Sequence, residues 1–363
     1  MIRTLRFSCR AAIGVGVLFA AMVVFAVGAA TGQRGVKSKS SPGISVIVGG
    51  TIIDGTGGTP LVDGVILIED GKITAVAKRG QFSVPAKAVR IDASGKYVIP
   101  GFIDGNVHFT FGTSVEYLAR YEGRFEDLVE ESAQVALRAG VTTAFDTWGP
   151  LQPLMSVRDR IDRGETVGSR MFVAGTIIGF SGPLGRDFNP DPAASKTFRK
   201  RINDLWEENV GSGLGLLQPD EVALEIRKLN ITHFVEAGIP IMMTTDAGIW
   251  SPEVVADMPP EVKVDRLDTL GKGHFIWCRA MAERGMKPMD ILLCATRNVA
   301  RAYHMLDRFG TLEKGKTADL IILDANPLDD VGNLEKISRV MKDGRMVERD
   351  MLPLKKVVAV PDL

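Results

Sequence analysis

Apolar residues recur along this chain at two spacings, and the spacing changes twice. From residue 44 to 99 they come in short runs separated by turn residues. The stretch "VDGVILIEDGKITAVAKRG" places two apolar runs on either side of Asp70-Gly71, a dipeptide that accepts positive φ in a tight turn, and so predicts a hairpin. "AVRIDASGKYVIP" adds two further strands. A second cluster follows near the other end, where "ADLIILDANPL" and "ISRVMKDGRMVERD" carry apolar runs and Asp343-Gly344 supplies another hairpin turn. Neither cluster has enough strands to bury a core alone. Residues 44–99 and 310–350 are therefore expected to meet in one small β-sandwich built from both chain ends.

Between the clusters the period lengthens. "FEDLVEESAQVALRAG" carries apolar residues at helical spacing and stops at Gly140, and the strand-like "VTTAFDT" follows at once. "EIRKLNITHFVEAG" predicts a helix ended by Gly238, "IPIMMTTDAG" a strand, and "KPMDILLCATRNVARAYHM" a closing helix. Helix, glycine, short apolar strand and polar residue is the rhythm of a (β/α) barrel, whose chemistry sits at the C-terminal ends of the strands. The fold class expected is α/β: an incomplete TIM-like barrel over residues 100–309, plus the composite β-sandwich. The barrel is called incomplete because Gly101 to Leu306 falls short of the roughly 250 residues such a barrel takes.

One strand end concentrates polar residues. In "YVIPGFIDGNVHF", Asp104, Asn106 and His108 alternate, and in an extended chain residues two apart point to one side. Asp146 and Asp246 stand at two other expected strand ends. A carboxylate, an imidazole and a carboxamide facing one cavity suit a hard or borderline metal ion, although a metal would ordinarily take a second imidazole where Asn106 stands.

Composition changes this picture little. The 363 residues carry 44 Lys+Arg against 44 Asp+Glu, a balance that argues against nucleic-acid binding. The N-terminus is different. Arg3, Arg6 and Arg10 precede the uncharged run Ala11 to Ala30, which closes on the small residues Val27, Ala29 and Ala30. That is the pattern of an export signal over residues 1–30, implying a periplasmic or extracellular protein; a retained membrane anchor over 11–30 is the alternative. Residues 31–43 read as a polar linker. Cys278 and Cys294 lie in apolar, helix-like surroundings and are read as buried free thiols.

Four ordered motifs resemble the amidohydrolase superfamily, particularly its imidazolonepropionase-like and prolidase-like metal-dependent hydrolases. They are "VIPGFIDGNVHF", "AGVTTAFDT", "AGIPIMMTTDAG" and "DILLCATRNVARAYHMLDRFGTLEKGKTADLIILDANPL". The resemblance implies a TIM-like barrel flanked by a sandwich from both chain ends, and a divalent metal, expected to be zinc. Carried across by position, it implies His108, Asn106 and Asp246 as metal ligands, Asp246 also as the catalytic proton shuttle, and His274 as a substrate-binding residue. It further implies a lysine or glutamate from a fourth strand and histidines from a fifth and sixth. Lys196, Lys200 and Lys228 stand in polar, helix-like surroundings that do not match the first. His233 and His304 lie on helices and are read as packed or solvated residues.

The expected function is a metal-dependent amidohydrolase that hydrolyses carbon–nitrogen (non-peptide) bonds in a small-molecule amide or cyclic amide through a metal-activated water. No nucleic-acid partner is expected, and a homo-oligomer is compatible with the sequence. Two alternatives stand beside this reading: a catalytically silent, internally truncated relative, and a prolidase-like dipeptidase.

Overall fold

A computed structural model describes residues 43–110, 121, 123–175, 231–249 and 269–358. The export signal, nearly all of the linker, and Lys196, Lys200 and Lys228 lie outside the described residues. Among those described, no helix is long and apolar enough to cross a membrane.

The strand clusters from the two chain ends share one sheet. β1 (Ser45–Ile52), β2 (Leu61–Glu69), β3 (Lys72–Lys78), β4 (Val89–Asp92) and β5 (Tyr97–Pro100) come from the first cluster. β10 (Leu320–Leu323), β11 (Ile337–Lys342) and β12 (Arg345–Met346) come from the second. Hydrogen bonding runs β12-β11-β10-β5-β1-β2-β3, with β4 also on β1, making eight strands. The two clusters therefore meet, as expected, in one continuous sheet, with Ile73 of β3 and Met341 of β11 in one core. The reason is the antiparallel pairing of β5 with β10, which joins the clusters edge to edge. Both expected hairpin turns form. Asp70 and Gly71 have φ of 48° and 78°, and Asp343 and Gly344 have 50° and 71°.

β10 explains why one sequence run is apolar throughout. Leu320 and Ile322 pack into a core with Ile47, Ile66, Val98 and Met341 on one face of the sheet. Ile321 and Leu323 face the other way, into the core of the α/β part. All four are fully buried because the strand is covered on both sides.

That α/β part holds four parallel strands in the order β8-β7-β6-β9. They are β6 (Phe102–His108), β7 (Val141–Asp146), β8 (Arg170–Val173) and β9 (Ala247–Gly248). α1 (Phe125–Arg138) connects β6 to β7, and α2 (Leu151–Asp162) connects β7 to β8. β9, the last in sequence, lies beside β6, the first, which is the neighbour relation that closes a (β/α) barrel. No closed barrel is present among the described residues.

Two elements differ from expectation. The strand predicted over Ile239–Gly248 is regular only at β9. The closing helix is broken into α4 (Pro288–Cys294) and α5 (Arg297–Ala302), after α3 (Gly273–Glu283). The break has a cause in hydrogen bonding. The carbonyls of Cys294 and Ala295 accept from Met243 N at 2.9 Å and Ile103 N at 2.8 Å. Carbonyls committed to the strands cannot continue the helical ladder.

Candidate active site

Register sets the site. Val107 on β6 pairs with Asp146 on β7 and with Ala247 on β9, so the C-terminal ends of the three strands lie at one level. Asp246 precedes β9 with φ 58°, in the left-handed region that aspartate tolerates better than most residues. That turn brings its carboxylate across to β6. His108 Nε2 lies 2.9 Å from Asp246 Oδ1, and Asn106 Nδ2 donates to the same oxygen at 3.0 Å. The His108 side chain is mostly buried at 12% exposure, while that of Asp246 is 69% exposed, so the carboxylate is the group offered to solvent. The ring of Trp148 stands edge-on to His108 with centroids 6.0 Å apart.

Thr147 completes the group, and the sequence reading missed it. Its hydroxyl donates to Asn106 Oδ1, which fixes the amide so that its NH2 faces Asp246. The sequence offered Asp146, the last residue of the strand, only as a polar residue at a strand end. The signal that identifies Thr147 is the period of two. Phe145 stacks on Tyr303 at 3.7 Å between centroids, and residue 147 shares the face of Phe145. Asp146 faces away from Asn106 and is buried; its Oδ2 accepts from Phe109 N at 2.8 Å. Burial raises its pKa to about 7, against the opposing pull of the backbone donors at Phe109 and Trp148.

Asp104 is also buried. Thr245 Oγ1 donates to its Oδ2 at 2.6 Å, and the amides of Thr245 and Asn106 donate to Oδ1 at 3.2 Å each. Burial raises its pKa to about 7 in spite of these donors.

The structure brings His108, Asn106 and Asp246 together and does not bring His274 to them. His274 lies at the start of α3, with Nε2 3.1 Å from Ala139 O and its ring 5.3 Å from that of Phe102. Ala139 and Phe102 belong to the N-terminal end of the strands, opposite the polar cluster. Burial lowers the His274 pKa to about 4, and a neutral ring bonded to a backbone carbonyl among aromatics is a packing residue here. His233 is exposed on a helical segment, as expected, whereas His304, also exposed, lies not on the closing helix but in the turn after α5, with φ 56°.

The chemistry of the donor set decides what the described residues can hold. A catalytic zinc takes three protein ligands. Among the described residues, no three His, Cys, Asp or Glu side chains gather to hold a metal ion. Asn106 contributes only an amide oxygen, already hydrogen-bonded to Thr147. The described donors do not by themselves fit such an ion.

The Amidohydrolase family model matches residues 220–347. The chain is 30% identical to the solved structure of molinate hydrolase, covering 89% of this chain and 98% of that one with a TM-score of 0.75. The chain belongs to the amidohydrolase superfamily. This amidohydrolase is also 28% identical to the solved phenylurea hydrolase B, over 88% of this chain and all of that one, with a TM-score of 0.71. Adenine deaminase 1 of Desulfotalea psychrophila is 22% identical over 370 residues, 85% of this chain; the alignment spans 58% of the deaminase. The relatives are hydrolytic enzymes acting on carbon–nitrogen bonds.

Proposed function

We propose that this chain hydrolyses a carbon–nitrogen bond in a small non-peptide amide, with Asp246 as the proton carrier. The observation that carries the reading is the Asp246 carboxylate. It is turned into the mouth of the parallel strands, bound on one oxygen by both His108 and Asn106, and open to solvent. An aspartate held in this way can take a proton from an attacking water. The water oxygen bonds to the carbonyl carbon, the carbon–nitrogen bond breaks, and the proton on Asp246 passes to the departing nitrogen. His108 and Asn106 keep the carboxylate in one rotamer through both transfers.

The 30% and 28% identities to hydrolases named for molinate and for phenylurea support a non-peptide substrate over a dipeptide. A phenylurea offers the reacting unit required, a carbonyl carbon bonded to nitrogen. A second reading, a catalytically silent relative, is favoured by the lack of a three-ligand metal group among the described residues.

Amine release from aryl ureas, N-acyl compounds and cyclic amides distinguishes the two. Turnover by the full chain that is lost in His108→Ala supports the proposal. Release at the same rate from both proteins, or from neither, supports the silent relative.

A further inference from the structure

The ladder beside Asp246 does not run regularly. Gly105 N donates to Met243 O at 3.0 Å. A regular parallel ladder continuing from that rung would send Thr245 N to Gly105 O and then pair Val107 with residue 246. Val107 pairs with Ala247 instead. The partner segment therefore absorbs one extra residue between the two rungs, and within it lies Asp246, with φ 58°. An extra residue of this kind bends the chain and re-aims a side chain.

The slip leaves two backbone groups without their ladder partners, and two side chains take them. Thr245 N donates to Asp104 Oδ1 at 3.2 Å. Gly105 O accepts from the Tyr303 hydroxyl at 2.7 Å. Asp104 holds the slip at two further points, through Thr245 Oγ1 at 2.6 Å and Asn106 N at 3.2 Å. The Thr245 hydroxyl in turn accepts from Ala247 N at 3.2 Å, and Asp246 N reaches Asn106 O at 2.9 Å. Burying a carboxylate with no cation beside it among the described residues is costly, and hydrophobic packing alone gives no reason to place one here.

We propose that Asp104 and Tyr303 are positioning residues: together they hold the one-residue slip that aims the Asp246 carboxylate at His108 and Asn106. Neither touches the reacting atoms. Each takes one end of the single ladder hydrogen bond, Thr245 N to Gly105 O, that a regular strand would make, and without them the segment is free to return to a register in which residue 246 faces elsewhere. The inference rests on the hydrolytic reading only for its kinetic consequence.

Tyr303→Phe is the most conservative test, since the ring keeps its stack on Phe145 and only the hydroxyl is lost. Asp104→Asn keeps an acceptor for the two amides, and Asp104→Ala keeps none. The exposed His233→Ala serves as a control. The expected result is kcat lowered about 10- to 100-fold in Tyr303→Phe and Asp104→Ala with KM unchanged, and largely restored in Asp104→Asn. The second readout does not need turnover. The 15N–1H signal of His108 Nε2 in the full chain should move in Tyr303→Phe and Asp104→Ala toward its position in Asp246→Asn, with the melting temperature of Tyr303→Phe near that of the wild type. Tyr303→Phe with the wild-type kcat and the wild-type His108 signal would overturn the proposal. Should the wild type release no amine, the hydrolytic reading fails and the His108 signal alone decides this one.

Discussion

Asp246 combines two demands in a single residue, a backbone in the left-handed region and a carboxylate at the strand mouth. Asparagine meets the first demand and lacks the charge, so Asp246→Asn should fold with an unchanged melting temperature. Asp246→Val meets neither, and a β-branched residue held at φ 58° should cost about 1–2 kcal/mol in chemical denaturation. Asp146 gives a pH signature at the same scale. Its folded pKa of about 7 lies above the unfolded carboxylate value of about 3.9, so the native state keeps a proton that the unfolded chain has lost. A raised pKa contributes stability that is complete below the unfolded pKa and is lost as pH rises through the folded one. From about pH 4 to pH 7 this group should lower stability by about 1.4 kcal/mol per pH unit. Asp146→Asn should remove that slope, and urea melts at pH 5 and pH 8 would show it. At this scale His108, Asn106 and Asp246 were legible because their motifs place them at strand ends. Thr147 was not, since a threonine in an apolar strand carries no chemical label until its neighbour Phe145 reveals which face is inside.

The elements that the sequence foretold best are those whose turn chemistry is local. Asp70-Gly71 and Asp343-Gly344 announce their hairpins without reference to the rest of the chain. Their mutual packing was invisible: an added Cβ at Gly71 would lie 2.8 Å from Asp343 O, and one at Gly344 2.6 Å from Gly71 Cα. Gly344→Ala should therefore lose more than about 1 kcal/mol, from positive φ and overlap together, and lower the melting temperature measurably. The closing helix and the strand before β9 were misjudged for a shared reason. Both surrender regular hydrogen bonds to residues distant in sequence, the helix to Met243 and Ile103 and the strand segment to Asp104. Local periodicity cannot register such bonds.

At the scale of the molecule, the end sheet and the parallel strands are joined by a buried charge cluster. Arg170 at the start of β8 donates to Asp319 Oδ2 at 2.5 Å, to Thr143 Oγ1 at 2.8 Å, and to Asp343. Asp319 Oδ1 also accepts from Asp343 N at 2.8 Å. Burial opposes the Arg170 charge, and the two aspartates outweigh that and hold it protonated. Removing one partner leaves the other charge buried and uncompensated. Arg170→Ala should cost about 3–5 kcal/mol by chemical denaturation, and Arg170→Met combined with Asp319→Leu should recover much of the loss. The meeting of the two chain ends was legible because neither strand set could bury a core alone. The single continuous sheet was not, because which edges pair depends on register that the apolar pattern leaves open.

In the proposed reaction water, with its proton carried by Asp246, adds to the carbon of a carbon–nitrogen bond. The most direct measurement is hydrolysis of an N-acyl substrate in H2(18)O, followed by mass spectrometry of both the carboxylic acid and the amine. One 18O is expected in the carbonyl-side product of the wild-type protein and none in the amine. Asp246→Asn, with its fold intact, should give no labelled product above background. Incorporation at the wild-type rate by Asp246→Asn, or no incorporation by either protein, would contradict the proposed reaction.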